Sequence, residues 1–292
     1  MYELVQVADN SYYIQSPAKI GLVKLNEEEV CLIDSGSDKD AGRKIRQILD
    51  ANGWKLTAIY NTHSNADHIG GNKYLQGQTG CKIYAPGIDC DFTRHPILEP
   101  SFLYGGYPCK DLRHKFLLAQ ESDAEDLTEE VLPTGFEVIR LPGHFFDMVG
   151  FRTPDHVVYL ADCLSSRETL DKYQIGFIYD VAAYIQTLEM VKSLTAKLFV
   201  PAHAAATEDI SELAQYNMGK VQEIAEKIID LCKEPLCFEA ILQRLFTEYA
   251  LTMNFEQYVL VGSTVRSYLS WLKDTDRLNA VFENNTLLWA RK

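Results

Sequence analysis

Apolar and polar positions alternate over four short runs at the start of the chain, residues 2–7, 11–15, 20–25 and 30–33, as they do in half-buried β-strands. The turn Asn26-Glu27-Glu28-Glu29 between the last two predicts an antiparallel meander. The period then changes. Asp34-Ser35-Gly36-Ser37-Asp38 is a helix-capping type of sequence, and residues 39–52 carry helical periodicity up to a stop at Gly53. A strand over 56–60, a short helix near 72–76 and a strand over 82–85 come next, and this alternation predicts a layered α/β architecture.

From about residue 89 to 134 the periodicity weakens. Phe92, Phe102, Tyr104, Tyr107 and Phe116 alternate with turn signals, and an acidic run covers 121–130, which predicts an irregular, lid-like segment with a solvated acidic face. Strands are predicted over 136–141, 149–153 and 157–160, a helix over 181–194, a short strand over 197–200 and a long helix over about 208–232. The tail reads as three helices, 238–249, 254–260 and 263–273, followed by a small hairpin around 278–282 and 286–290. That order is winged-helix-like. The expected division is a catalytic domain over 1–232 and an accessory domain over 233–292.

Composition narrows the function classes. With 28 Lys and Arg against 41 Asp and Glu, the net charge of −13 argues against a surface built to neutralise a phosphate backbone. Neither a basic and apolar leader nor a membrane-length apolar run is present, so the expected location is cytoplasmic and no membrane partner is expected. The seven cysteines are odd in number and form no Cys-x-x-Cys pair, which suits buried thiols in a reducing compartment.

Four of the seven histidines sit at predicted strand-end turns: His63 and His68, His144 in Leu141-Pro142-Gly143-His144, and His203 in Pro201-Ala202-His203. Asp67 and Asp162 add carboxylates in the same kind of position. Imidazole with carboxylate suits Zn(II), Fe(II) or Mn(II) in an open, catalytic site. His95, His114 and His156 match no such pattern and are placed on loops, and Lys110, Arg113, His114 and Lys115 are read as a solvated loop face.

The stretch His63-Ser64-Asn65-Ala66-Asp67-His68 resembles the His-x-His-x-Asp-His motif of the metallo-β-lactamase-fold hydrolases, with the glyoxalase II-like group nearest. Leu32-Ile33-Asp34-Ser35-Gly36 is similar to the early Asp turn of that family and Pro142-Gly143-His144 to its third motif. Leu160-Ala161-Asp162 is similar to its bridging Asp, and Pro201-Ala202-His203 to its last His. The resemblance implies an αββα four-layer sandwich carrying one or two divalent metal ions, zinc first, with iron or manganese as alternatives. His63 and His144 would serve the first position, Asp67, His68 and His203 the second, and Asp162 would bridge them, while Asp34 would fix a ligand imidazole.

Two departures stand out. Asn65 occupies a position where the family has histidine, and an amide oxygen is a weaker zinc ligand. It therefore ligates weakly, is replaced by a water, or leaves only one metal tightly held. Phe145-Phe146-Asp147-Met148 follows His144 where the family carries small residues; these rings either narrow and dry the pocket or fill the core beneath the turn.

By resemblance, the expected function is hydrolysis of a small-molecule thioester, lactone or related ester. Water with its pKa lowered to about 7 by the metal would attack, oriented by Asp67 or Asp162. The main alternative is a persulfide dioxygenase-like oxygenase with one iron on the residues matching His63, His144 and Asp162. By the same resemblance β-lactam and RNA phosphodiester hydrolysis rank lower, and so does nucleic-acid binding through the tail, because segment 263–273 offers only Arg266 and Lys273 as cations. Aromatic residues in 89–134 and the tail suggest a homodimer.

Overall fold

The computed structural model describes residues 2–292. The expected meander forms from β1 (Glu3–Gln6), β2 (Ser11–Gln15), β3 (Ile20–Lys24) and β4 (Glu29–Ile33), each antiparallel to the next. Helix α1 (Lys39–Asn52) starts where Asp38 accepts from the backbone N–H groups of Asp40 and Ala41, a cap worth about 1 kcal/mol, and stops at Gly53 in the left-handed conformation. From β4 onward the sheet turns parallel, adding β5 (Lys55–Tyr60) and, after α2 (Ala66–Ile69) and α3 (Asn72–Thr79), β6 (Lys82–Ala85).

The segment expected to be irregular is more ordered than its pattern suggests. It holds α4 (Gly87–Arg94), α5 (Leu98–Tyr104) and β7 (Ala124–Asp126), the last parallel to β6 and completing a seven-stranded sheet in the order of the chain. Both helices are of eight residues or fewer, too short for periodicity to declare them. Three of the four residues of the basic cluster there are engaged: Lys115 meets Asp38 at 2.8 Å, His114 meets Glu256 at 2.9 Å, and Arg113 lies over the Tyr107 ring.

A second sheet, in the order β11–β10–β9–β8, is built from β8 (Glu137–Arg140), β9 (Val149–Arg152), β10 (Val157–Ser165) and β11 (Leu198–His203), with α6 (Arg167–Tyr173) and α7 (Val181–Lys192) on the crossover between β10 and β11. Three buried clusters define four layers. Ile45 and Leu49 of α1 and Leu75 of α3 cover Leu22, Leu32 and Ile59 of the first sheet. Cys31, Ile33 and Tyr60 meet Phe151, Tyr159 and Val200 between the sheets. On the far side Val158, Leu160 and Phe199 are covered by Leu188 of α7 and by Met218 and Val221 of α8 (Ser211–Leu231).

The tail holds α9 (Phe238–Glu248), α10 (Phe255–Asp274), β12 (Leu278–Glu283) and β13 (Thr286–Arg291). Two helices stand where three were expected, because the segments 254–260 and 263–273 are one helix. Gly262, which suggests a break, continues α10 and leaves room for the Phe238 ring, 3.5 Å from where a Cβ would sit. Ile241, Leu245, Val265, Tyr268 and Leu272 belong to the same buried cluster as Leu188 and Ile228. Among the described residues no helix is long and apolar enough to cross a membrane.

Candidate metal centre

The chain brings the candidate ligands to one rim of the two sheets by ending strands there. Asp34 follows β4, His63 follows β5, and Asn65, Asp67 and His68 lie on the turn into α2 and on α2 itself. His144 sits in the turn between β8 and β9, and His203 closes β11. Asp162 lies within β10, where the pairing with β11 shifts register and Ala161 takes φ 49°; such irregularities re-aim side chains. Glycines let the loops approach. A Cβ on Gly71 would meet the Ser35 carbonyl oxygen at 2.3 Å, and Gly143, at φ 120°, abuts the backbone of Tyr184.

All four imidazoles are held the same way. His68 Nδ1 donates to Asp34 Oδ2 at 2.8 Å, His144 Nδ1 to the Phe177 carbonyl at 3.0 Å, and His203 Nδ1 to the Pro17 carbonyl at 3.1 Å. His63 Nδ1 lies 2.9 Å from Thr62 Oγ1, whose proton is committed to Asp34 Oδ2 at 2.7 Å, so here too the ring is the donor. With every Nδ1 occupied, each Nε2 faces inward.

The donor atoms fall into two groups that share Asp162: Asp67, His68, Asp162 and His203, and His63, His144 and Asp162, each within 4.8 Å of one another. Asp162 Oδ1 is 3.0 Å from His68 Nε2, and its Oδ2 is 3.1 Å from His203 Nε2 and 3.7 Å from His144 Nε2. Asp67 Oδ2 is 3.4 Å from His203 Nε2. Asp34 stays outside both groups, accepting from the Thr62 backbone as well as from His68.

Electrostatics separate the two groups. Burial, aided by neighbouring His68, pushes His63 well below the usual imidazole range, and burial lowers His144 as well. Burial also works against charge on His68 and His203, but the carboxylates of Asp162 and Asp67 outweigh it. His68 is raised well above its ordinary value and His203 to about 10. Burial opposes ionisation of Asp162 and Asp67, and the same imidazoles reverse that, holding both carboxyls low.

This donor set fits a divalent metal. His63 Nε2 is buried without a hydrogen-bond partner, and His68 Nε2 and Asp162 Oδ1, 3.0 Å apart and buried, have only one another. Buried polar atoms are rarely left so, and a divalent cation held by the three would satisfy them together.

Asn65 is engaged on both sides. Its Nδ2 donates to Glu99 Oε1 at 2.9 Å, and its Oδ1 lies 3.1 Å from His144 Nε2. Glu99, on α5, is buried, and burial pushes its carboxyl well above the usual range despite the Asn65 hydrogen bond. Asp89, on α4, is also buried and accepts from the backbone and hydroxyl of Ser64, at 2.9 and 2.7 Å, and from the Asp147 N–H at 2.9 Å. Sequence reasoning missed both acids. The one signal was an acidic residue amid apolar neighbours in Ile97-Leu98-Glu99-Pro100. Phe145 is fully buried and packs with Phe92, Phe102 and Phe177, while half-buried Phe146 stacks on Tyr179 at 4.1 Å. The two rings thus fill the core; Phe145 lies beside His63, 6.2 Å between ring centroids, and it is Phe177 that sits edge-on to His144, at 5.5 Å.

Residues 13–203 match the Metallo-beta-lactamase superfamily model. The chain belongs to that superfamily. Among curated superfamily relatives, a hydroxyacylglutathione hydrolase of Methylococcus capsulatus is 42% identical over 53 residues, 15% of this chain and 21% of that protein. Another, of Nitrobacter winogradskyi, is 26% identical over 138 residues, 44% of this chain and 42% of that protein. The chain thus spans from about a fifth to two fifths of the length of these relatives. Among solved structures, a beta-lactamase domain protein from Burkholderia ambifaria superposes with a TM-score of 0.77 at 14% identity, over 99% of this chain and 94% of that one. A metallo-beta-lactamase family protein from Thermus thermophilus gives 0.72 at 16% identity, over 99% and 98%. Both likenesses of fold cover the tail, which lies outside the matched residues 13–203.

Proposed function

We propose that the protein is a metal-dependent hydrolase of a small-molecule thioester, lactone or related ester. One observation carries this reading: four imidazoles with anchored Nδ1 atoms turn Nε2 toward a shared Asp162, and the buried His63 Nε2 has no partner at all. His63, His144 and Asp162, with Asn65 beside them, would hold one ion, and Asp67, His68, His203 and Asp162 a second. Zinc leads, and iron or manganese suit the same donors. Such an ion supplies Lewis acidity and activates water near neutral pH. Asp67, 38% exposed and held ionised, is the carboxylate best placed to orient an incoming water and accept its proton. Asp162 positions His68 and His203, and the Phe145 ring beside His63 and the Phe177 ring beside His144 exclude bulk water. The curated relatives named hydroxyacylglutathione hydrolase support a thioester among the substrates.

A second reading rests on the group His63, His144 and Asp162, two imidazoles and one carboxylate, the donor pattern of a mononuclear iron oxygenase. The complete set at Asp67, His68 and His203 favours hydrolysis. In the tail, residues 233–292 act as a winged-helix-like packing module, not a nucleic-acid reader: Arg266 is spent on the Phe238 ring, 3.8 Å away.

Metal analysis of the purified protein beside thioester, lactone, phosphodiester and oxygen-uptake assays decides. Ester or thioester turnover that chelation removes and zinc restores is the expected result. One iron per chain with oxygen consumption on a persulfide would overturn it.

A further inference from the structure

The position where this chain departs from its superfamily pattern is not left to itself. Asn65 precedes the first turn of α2, where an asparagine side chain ordinarily caps the helix, yet it makes no capping hydrogen bond. Its amide instead spans two groups. Nδ2 donates to Glu99 Oε1, and Oδ1 faces His144 Nε2 at 3.1 Å. His144 Nδ1 is already donating to Phe177, so in the neutral ring Nε2 and Asn65 Oδ1 are two lone pairs turned on one another. Two acceptors at that distance repel unless a proton or a cation lies against both. The Ala66 backbone N–H is turned to the same Glu99 carboxyl, so α5 presents an acceptor to two donors from the ligand turn.

We propose that Glu99 is a positioning residue for the metal position beside His63. By accepting from Nδ2 it fixes which way the Asn65 amide points, and so makes residue 65 an oxygen donor where the superfamily motif has an imidazole. Resting as it does on the metal reading above, the inference adds a consequence. With Asn65 and Asp162 oxygens among its donors, this position favours harder ions more than the motif's third imidazole would allow, so manganese or iron competes better against zinc there than it would with histidine at position 65. Outer partners of this kind are worth about 10–100-fold in metal affinity.

The test uses the full chain, stripped with a chelator and titrated with Zn(II) and Mn(II) against a chromophoric competitor. Comparing wild type with H203A assigns the tighter and weaker positions. Glu99→Leu, which has no acceptor, is expected to weaken the His63 position by about tenfold or more, leaving the His68 position unchanged. Glu99→Gln, whose Oε1 still accepts from Nδ2, is expected to keep most of that affinity. Thermal melting without metal separates folding from ligation, and Glu99→Met serves if Glu99→Leu does not fold. Unchanged metal affinity in a folded variant without an acceptor at 99, or a Glu99→Gln protein as weak as that variant, overturns the proposal. Wild type that binds neither ion overturns the metal reading itself.

Discussion

Asp34 Oδ2 lies 2.8 Å from Nδ1 of His68 and 2.7 Å from the Thr62 hydroxyl, which in turn accepts from His63 Nδ1. One carboxylate oxygen therefore sets the tautomer of two imidazoles that belong to different groups of candidate ligands. Asp34→Asn keeps the shape and suits the left-handed backbone, φ 64°, where asparagine is tolerated. If its oxygen stays with the Thr62 N–H, it turns an NH2 group toward the His68 N–H. We expect metal affinity to fall by about 10–100-fold and stability by about 1–3 kcal/mol. Competition titration and denaturant melts measure the two, and unchanged affinity would remove Asp34 from the support of the site.

Metal binding should expel protons unequally from the two positions. In the metal-free protein at neutral pH, His203, raised to about 10, and His68, raised well above its ordinary value, both carry protons. Each must lose one before its Nε2 lone pair can ligate, so affinity at the second position rises with pH through the neutral range and drops as pH falls. His63 and His144 are lowered and already neutral, so the first position loads with little proton release. Calorimetric titration in buffers of different protonation enthalpy tests this. Equal buffer dependence for both ions would contradict it.

The turns that carry the candidate ligands were legible in the sequence because each is a local event: a strand ends, a short polar motif follows, and the fold brings the ends together. His63, His68, His144, Asp162 and His203 needed no distant information beyond that order. Glu99 and Asp89 did. Each comes from a short helix 25 to 34 residues from its partner, and nothing local distinguishes a buried acid from a solvated one. The tail shows a related limit. Gly262 looks like a break in isolation, yet α10 runs through it, with Val261, Val265 and Leu269 buried in the same core as Ile241 of α9.

Asp89 predicts a pH-dependent stability term near the ligand turn. Burial raises its carboxyl to about 6, against hydrogen bonds from Ser64 and Asp147 that lower it. Between the unfolded value, about 4, and about 6 the folded state holds the proton more tightly than the unfolded chain. Stability contributed by this group therefore falls as pH rises through that window, by roughly 3 kcal/mol at most. Asp89→Asn cannot ionise, so the gap between wild type and variant should change from pH 4 to pH 6 and stay level above it. Parallel stability curves in denaturant melts would show that the hydrogen bonds, not burial, govern Asp89.

The tail should support the metal position beside His63 without touching it. Ile178 N donates to Thr264 Oγ1 at 3.1 Å, and Ser267 Oγ donates to the Tyr179 carbonyl at 2.7 Å, so α10 grips the strand of chain from 177 to 180. That strand holds the His144 turn on its other side, through Tyr179 N to the Gly143 carbonyl at 2.9 Å and through the Phe177 carbonyl that anchors His144 Nδ1. Thr264→Val leaves the Ile178 N–H unpaired in a buried setting, costing about 1–3 kcal/mol. With Ser267→Ala added, both ties to α10 are gone and the His144 anchor loosens. We expect weaker metal binding at the His63 position, little change at the His68 position, and a lower melting temperature for the whole chain in one transition, since Tyr268 and Leu188 share one core. Two separate transitions, with metal affinity unaffected, would mean that the tail folds as an independent unit and only rests against the site.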